Sequence, residues 1–179
     1  RDLDGTPLHI VHRDISPQNV VVTYSGDVKV VDFGIAKSDT SFQRETEFGK
    51  LKGKVPYMSP EQARGLDVDW RSDIFSAGII LFELTTGRRL FKGESEYETM
   101  RLICEKPYPL PSSLRADYPP QLEAIVMRAL AKSPDARYQS ARELQAALDG
   151  FAREYRIEAS SVADLVLDAE KFDPSVREG

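Results

Sequence analysis

Cysteine is almost absent from this sequence: Cys104 is the only one in 179 residues. A lone thiol cannot close an internal disulfide, so a small disulfide-stabilised scaffold is excluded. Cys104 stands in a largely apolar helical pattern, which indicates packing in a core and not a reactive thiol. A reducing compartment fits this usage, and we expect a cytoplasmic location.

Long hydrophobic runs are missing too. The most apolar run, residues 77–84, is eight residues long and contains Glu83, whereas a membrane-spanning helix needs about 20 apolar residues. Charge of one sign is also lacking, because 24 Lys and Arg against 29 Asp and Glu give a net charge of −5. We therefore expect no nucleic acid partner and no membrane segment in this chain.

The glycine-rich loops that cradle phosphates are missing as well. No G-x-G-x-x-G occurs in the sequence. Gly49, Gly53 and Lys54 superficially suggest a G-x-x-x-x-G-K-[ST] loop, but the glycines are too close together and Val55 replaces the hydroxyl residue. Neither phosphate-binding loop is encoded here.

The remaining pattern predicts one mostly α domain with a small β-hairpin at its N-terminal edge. Residues 20–23 and 28–31 are β-branched runs that flank a turn. Residues 38–54 are polar and without period, which indicates a long functional loop. Residues 72–86 are apolar on almost every side and stop before Gly87, as expected of a buried central helix.

Capping signals and periodicity predict three further helices. Ser95-x-x-Glu98 and Ser140-x-x-Glu143 have the form of capping boxes at helix beginnings. Between them, apolar residues with the spacing of one helix face follow a pair of prolines. The predicted inner faces consist of Leu122, Ile125, Val126, Ala129 and Leu130 in the middle helix and Leu144, Ala147, Leu148 and Phe151 in the last one.

An ordered set of five short motifs carries the chemical information. Each is weak evidence alone, since any tripeptide occurs often by chance. Together they follow a fixed order, one before the hairpin, one directly after it and three along the helical part. They are the loop HRDISPQN (12–19), Asp32-Phe33-Gly34, Ser59-Pro60-Glu61, Asp73 and Arg137.

This order and spacing resemble the protein kinase family, with its catalytic loop, D-F-G, A-P-E, central-helix aspartate and late arginine. The wording YMSPEQARG, followed by RSD, is most similar to the bacterial branch of the serine/threonine kinases. The resemblance covers only the family's C-terminal lobe. It implies transfer of the ATP γ-phosphoryl group to a protein Ser/Thr hydroxyl, with Mg²⁺ as cofactor and an N-terminal lobe expected upstream.

The resemblance gives roles to the leading polar residues. Asp14 would orient the substrate hydroxyl and take its proton, while Asn19 and Asp32 would hold Mg²⁺ through oxygen, the ligand atom this ion prefers. The alternative for these three residues is a side chain that caps a turn. Val21 would lie under the adenine ring, although a simple core valine explains it equally well.

Other matched residues would support the site. His12 and Phe33 should pack on the central helix, and Asp73 should accept hydrogen bonds from the catalytic-loop backbone. Glu61 and Arg137 should form a partly buried ion pair; the alternative is a surface pair that contributes little.

Two further sets would act around the phosphoacceptor. Leu51, Val55 and Met58 would form a substrate pocket, with loop packing as the alternative. Arg13 would bind a phosphorylated activation loop, in which Thr46 is the best placed acceptor. The alternative is an unmodified polar loop.

One pair of positions departs from the family pattern. Ser16 stands where serine/threonine kinases carry a lysine, and Lys54 stands where they carry a threonine. We predict that the two residues have exchanged chemistry, with Lys54 returning an ammonium to Asp14 and the Ser16 hydroxyl taking the hydrogen-bonding role. The alternative is that Lys54 is one more solvated charge in a lysine-rich loop.

The predicted organisation is a kinase C-terminal lobe over residues 1–151 and an extension over 152–179, with a weak helix at 162–171. The chain begins in mid-pattern without an initiator methionine. We therefore expect a fragment of a longer kinase that is inactive alone. A kinase-like interaction module without catalysis and an inactive truncated product are the alternatives.

Overall fold

The computed structural model describes residues 11–32 and 54–157 of the chain. Within these ranges, two strands are followed by six α-helices and joined by short 3₁₀ turns. The strands are β1 (Val20–Val22) and β2 (Val28–Val30). The helices are α1 (Pro60–Ala63), α2 (Arg71–Thr86), α3 (Glu96–Glu105), α4 (Pro111–Leu114), α5 (Pro120–Ala129) and α6 (Ala141–Glu154).

The two strands form an antiparallel hairpin in which Val21 lies opposite Lys29. β-branched side chains favour the extended backbone of both strands. In the turn, the Thr23 Oγ1 accepts a hydrogen bond from the Asp27 N–H (3.0 Å), and Gly26 has a φ of 85°, which favours glycine. The predicted hairpin is confirmed.

Helix α2 is the centre of the helical part, as the sequence predicts. It ends where Gly87, with a φ of 67°, donates its N–H to the Glu83 carbonyl (2.9 Å). Leu84 is the exception to the predicted burial, since it is 76% exposed. The hydrophobic side chains of α2 with no exposed surface are Phe75, Ile79 and Phe82.

Two hydrophobic clusters share α2. The first combines the buried side chains of α2 with residues of α3 and α5, and the second combines Ile74 with residues of α5 and α6. The predicted inner faces of α5 and α6 lie in these clusters. The first cluster contains Tyr57, Phe75, Ile79, Phe82, Phe91, Ile103, Val126 and Leu130, and the second contains Ile74, Ile125, Ala129, Tyr138, Leu144 and Phe151.

The predicted capping residues begin α3 and α6. The helix beginnings differ from a capping box in the backbone N–H that the glutamate binds. In α6, the Ser140 Oγ accepts from the Glu143 N–H (3.1 Å), as expected of an N-cap. The Glu143 carboxylate then accepts from the N–H of Gln139, one residue before the cap (2.7 Å). Helix α3 begins in the same way.

Helix α6 runs past the domain boundary predicted at residue 151. It ends in a Schellman motif, in which Arg156 has a φ of 53° and the Ile157 N–H donates to the Ala152 carbonyl (2.8 Å). The helix expected over residues 162–171 lies outside the described residues. No helix in the described ranges is long and apolar enough to span a membrane.

Candidate active site

The loop that carries Asp14 is fixed by the beginning of α2. The two carboxylate oxygens of Asp73 accept hydrogen bonds from consecutive backbone N–H groups, those of His12 (2.8 Å) and Arg13 (2.9 Å). Burial raises the pKa of Asp73 above its ordinary value, and these two hydrogen bonds offset only part of that rise. One side chain of the central helix therefore sets the path of the backbone into Asp14.

Two residues of the site have a left-handed backbone. The φ angles are 62° at Arg13 and 56° at Asp32. For a residue with a side chain this conformation costs about 1–2 kcal/mol, so surrounding contacts must stabilise it. At Arg13 the N–H binds Asp73, and the carbonyl accepts a hydrogen bond from Gln62 Nε2 (3.0 Å). Strained residues of this kind cluster at functional sites.

Asn19 closes the loop around Asp14. Its Nδ2 donates to the Asp14 carbonyl (2.7 Å), and its backbone N–H donates to the Ser16 carbonyl (3.0 Å). Since the amide nitrogen is used inside the loop, the Oδ1 atom is the part of this side chain left for a ligand. An amide oxygen is a ligand that Mg²⁺ accepts.

Two hydrogen bonds join this loop to the residue before Asp32. The Val31 N–H donates to the Asn19 carbonyl (2.9 Å), and His12 Nε2 donates to the Val31 carbonyl (3.1 Å). Val31 is thus held on both sides of its backbone. These bonds connect the residue before Asp32 to the loop that carries Asp14 and Asn19.

Lys54 contacts the carboxylate of Asp14 through Nζ and Oδ2. This is the contact that the predicted exchange between Ser16 and Lys54 requires. The side chains are 44% exposed at Lys54 and 21% at Asp14, so solvent screens the attraction and the pair adds little stability. The contact matters for the position of the charge, and its catalytic role stays a prediction.

Ser16 does not take the hydrogen-bonding role in this structure. The residue is 1% exposed, and its Oγ has no hydrogen-bond partner among the described residues. It precedes the 3₁₀ turn Pro17–Asn19 at the N-cap position without capping it through the side chain. Within residues 11–32 and 54–157, the predicted ammonium contact is therefore present and the predicted hydroxyl contact is absent.

The residues predicted to contact the adenine ring or the protein substrate differ in burial. Val21 is 44% exposed on β1, so it is not a core valine within the described fold. Val55 is 1% exposed, in agreement with the loop-packing alternative, whereas Met58 is half-buried against the first cluster. The predicted residues that lie outside the described ranges are Phe33, Thr46 and Leu51.

Glu61 and Arg137 form a buried ion pair, in which Arg137 has no exposed side-chain surface and Glu61 has 8%. The guanidinium binds the carboxylate through two parallel contacts of 2.6 and 2.8 Å. All five of its N–H groups are used, three of them on backbone carbonyls. It also lies 4.8 Å from the centre of the Phe75 ring. The three carbonyls are those of Arg71, Ala131 and Lys132.

Two buried hydroxyl groups connect the carboxylate of this pair, through Ser72 of α2, to the N-cap residue of α1. Ser72 Oγ donates to Glu61 Oε1 (2.5 Å), and Ser59 Oγ donates to Ser72 Oγ (3.1 Å). Burial opposes ionisation of Glu61, but the hydrogen bonds from Arg137 and Ser72 outweigh it and hold the pKa of Glu61 below its ordinary value. The carboxylate is therefore charged in the core.

Sequence analysis missed Gln62, which connects α1 to the loop that carries Asp14. With Ser59 it forms a true capping box, in which each side chain binds the backbone N–H of the other residue. The spacing Ser59-x-x-Gln62 carries this signal in the sequence. The second bond of Gln62, to the Arg13 carbonyl, has no local signal.

Oxygen atoms of the kind that magnesium takes as ligands are present in Asn19 and Asp32. Residues 11–32 and 54–157 contain no group of three or more His, Cys, Asp or Glu that could hold an ion. Mg²⁺ in nucleotide sites takes only one or two protein oxygens and completes its shell with water and phosphate. Asn19 and Asp32 can supply that number.

Comparison with known proteins assigns the family. The protein kinase domain model matches residues 7–148 of the chain. The chain therefore belongs to the protein kinase family. Members of this family use ATP as the phosphoryl donor, typically with Mg²⁺.

Similar curated proteins are bacterial kinases. Tyrosine-protein kinase MasK of Myxococcus xanthus is 45% identical over 151 residues, which cover 84% of this chain and 23% of MasK. Serine/threonine-protein kinase PknB of Mycolicibacterium smegmatis is 42% identical over 168 residues, which cover 90% of the chain and 26% of PknB. PknB of Mycobacterium tuberculosis is 40% identical over 164 residues with the same two shares. The chain spans about a quarter of the length of these relatives.

Proposed function

We propose that this chain is the C-terminal lobe of a serine/threonine protein kinase that transfers the γ-phosphoryl group of ATP to a protein hydroxyl. The observation that carries the proposal is the placement of Asp14. Asp73 fixes the backbone before it, Asn19 binds its carbonyl, and an ammonium meets its carboxylate. A carboxylate held in this way can orient a substrate hydroxyl and accept its proton.

Asn19 and Asp32 are the residues that would hold Mg²⁺. The ion, when bound, neutralises charge on the nucleotide phosphates. The protein's part is to fix the two oxygens, Asn19 through its amide nitrogen and Asp32 through the anchored Val31 backbone. Val21, exposed on β1, would contact the adenine ring.

Lys54 and Arg13 would be the two functional cations of the lobe. Lys54, next to Asp14, would face the transferring phosphoryl group and offset its charge. Arg13 would bind the activation loop after phosphorylation of Thr46, because a guanidinium binds a phosphate bidentately.

The lobe would extend through the end of α6, followed by an extension to residue 179. Protein kinases cover the nucleotide phosphates with a glycine-rich loop and bind them with a lysine on a neighbouring strand, and both would come from residues outside this chain. We therefore expect residues 1–179 alone to bind ATP weakly and to show no turnover. The protein substrate would dock near Met58, beside the segment that carries Lys54.

A non-catalytic interaction module is the second candidate, and the Ser16 substitution is the observation that favours it. The geometry around Asp14 and the orientation of the Asn19 amide favour catalysis, because binding to a partner requires neither. Because MasK is named a tyrosine-protein kinase, tyrosine is tested as an acceptor beside serine and threonine.

Substitution of the two carboxylates tests the proposal in the full-length protein. Asp14→Asn and Asp32→Asn are each expected to lower kcat by roughly 10³-fold, since each removes a charge needed in the transition state. Asp32→Asn should also weaken Mg²⁺-dependent ATP binding. Transfer of labelled phosphate to Ser, Thr and Tyr peptides measures the activity, and calorimetry measures ATP binding.

Asp149→Asn, on the exposed face of α6, is the matched control and should act like the parent. Absence of transfer by the parent would point to the interaction module, and parent-like transfer by the Asp14→Asn variant would show that Asp14 does not accept the proton. Preferential transfer to Tyr peptides would retain the kinase and change its acceptor class.

A further inference from the structure

Gln62 joins the catalytic loop to α1 by using both ends of its side-chain amide. Its Oε1 accepts a hydrogen bond from the Ser59 N–H (3.0 Å), and its Nε2 donates to the Arg13 carbonyl (3.0 Å). The two backbone groups belong to segments far apart in the sequence. Gln62 therefore does more than cap a four-residue helix.

The carbonyl that Gln62 binds belongs to the peptide group that leads directly into Asp14. Asp73 holds the N–H side of Arg13, and Gln62 holds its carbonyl side. The left-handed conformation at Arg13, with a φ of 62°, is unfavourable by about as much as one hydrogen bond contributes. Loss of the Gln62 bond therefore removes a restraint about as large as the cost of this conformation.

We propose that Gln62 is a positioning residue for Asp14. By binding the Arg13 carbonyl it keeps the peptide plane before Asp14 in the orientation that aims the carboxylate at the acceptor hydroxyl. Residues 54–62 then contact the loop that carries Asp14 at two points. Lys54 contacts the Asp14 carboxylate, and Gln62 binds the Arg13 carbonyl. The kinetic part of this inference rests on the proposed kinase activity.

Gln62→Glu is the variant that isolates the positioning role. Glutamate keeps an oxygen for the Ser59 N–H and is itself favoured at this capping position. An ionised carboxylate has no N–H for the Arg13 carbonyl and turns an oxygen toward it, so this hydrogen bond is replaced by a repulsion while the bond to the Ser59 N–H is kept. Gln62→Ala loses both bonds, and Gln145→Glu makes the same chemical change on the exposed face of α6.

In the full-length protein we expect Gln62→Glu to lower kcat about tenfold, which corresponds to one hydrogen bond of about 1.4 kcal/mol. The KM for ATP and the thermal midpoint should stay at the parent values. Gln62→Ala should lower kcat similarly and also lower the thermal midpoint, because the capping box is lost. Gln145→Glu should match the parent in all three measurements.

Amide hydrogen exchange over residues 11–16 tests the bond without any need for activity. Exchange at the Asp14 N–H, which belongs to the peptide group that Gln62 holds, and at the neighbouring Arg13 N–H should be faster in Gln62→Glu than in the parent. Parent-like exchange in this variant overturns the proposal, and so does a parent-like kcat in a protein that is active. If the parent transfers no phosphate while exchange is faster in the variant, the hydrogen-bond role holds and the proposed function is what fails.

Discussion

At the scale of single residues, the positive charge next to Asp14 comes from Lys54, on a different segment from the catalytic loop. Position 16, where the family carries its lysine, is instead a buried serine with 1% exposure. A lysine there could reach Asp14 only by bringing a second ammonium beside the first. The two positions are therefore coupled, and their coupling can be measured.

A double-mutant cycle in the full-length protein tests whether Lys54 replaces the missing lysine. Lys54→Thr should lower kcat by on the order of 10²-fold, since the phosphoryl group loses its cation. Ser16→Lys should lower kcat because like charges crowd Asp14. The double variant should recover much of the loss, and Lys92→Thr, on an exposed loop, should have no effect. Additive losses, or full activity of Lys54→Thr, would mean that Ser16 is simply a missing lysine.

The buried pair of Glu61 and Arg137 predicts a stability effect that depends on pH. Arg137→Met leaves the carboxylate buried without its cation, so the free energy of unfolding should fall by about 3–5 kcal/mol at neutral pH. In the parent the pKa of Glu61 is lowered. The contribution of the pair is therefore complete above the ordinary glutamate pKa and is lost as the pH falls through the lower folded value.

In the Arg137→Met variant, burial without a partner raises the pKa of Glu61, so the carboxyl takes up a proton as the pH falls. The difference from the parent should therefore be smaller near pH 5 than near neutral pH. Denaturant unfolding of the 179-residue chain at both pH values measures it. Arg115→Met, which removes an exposed pair with Asp117, should change little at either pH. An equal loss of unfolding free energy at both pH values would contradict the predicted coupling between stability and the ionisation of Glu61.

At the scale of elements, two helix-interior glycines should respond oppositely to the same substitution. A Cβ on Gly78 of α2 would lie 3.0 Å from the Ala129 Cβ and 3.2 Å from Leu130, whereas one on Gly150 of α6 meets nothing within 4 Å. Gly150→Ala should raise the free energy of unfolding by about 0.5–1 kcal/mol, since alanine favours the helix. Gly78→Ala should lower it by about 1–3 kcal/mol, because α2 and α5 must separate.

Denaturant unfolding of the 179-residue chain measures both glycine variants. Each is the control for the other, because the helix propensity gain is the same. Equal stabilisation by the two substitutions would show that the contact between α2 and α5 adapts without strain.

The elements that the sequence predicts are those with local signals. Gly87 ends α2, and Ser95 and Ser140 begin α3 and α6, each through contacts within a few residues. The helices α1 and α4 were not predicted, because four residues are too few for a periodic pattern. Their signal is a proline at the first helical position.

The site shows the same division between local and distant information. The order of Asp14, Asn19 and Asp32 is visible in the sequence, and the reach of Lys54 to Asp14 follows from the length of its side chain. The burial of Val55 and the bond from Gln62 to the Arg13 carbonyl depend on segments that meet only in the fold. No local pattern specifies such contacts.

At the scale of the whole molecule, α2 unites the helical part. Phe75, Ile79 and Phe82 lie in one hydrophobic cluster, while Ile74 lies in the other. Arg137 adds a second connection, since it bonds to Glu61 of α1 and to the Arg71 carbonyl at the beginning of α2. Neither cluster can lose its packing without disturbing the same helix, so the two should unfold together.

Trp70 provides a test of this cooperativity because it is the only tryptophan in the chain. It stands directly before α2, and its Nε1 donates to the Gln139 carbonyl ahead of α6 (3.0 Å). Its fluorescence therefore reports the junction of these helices, while far-ultraviolet circular dichroism reports all helices. In denaturant the two signals should give one midpoint and one slope.

Phe82→Ala and Ile74→Ala, one in each cluster, should each lower the free energy of unfolding by about 2–5 kcal/mol and move both signals together. A fluorescence transition separate from the dichroism transition would instead show two independent units, with α2 not transmitting the loss of one cluster to the other.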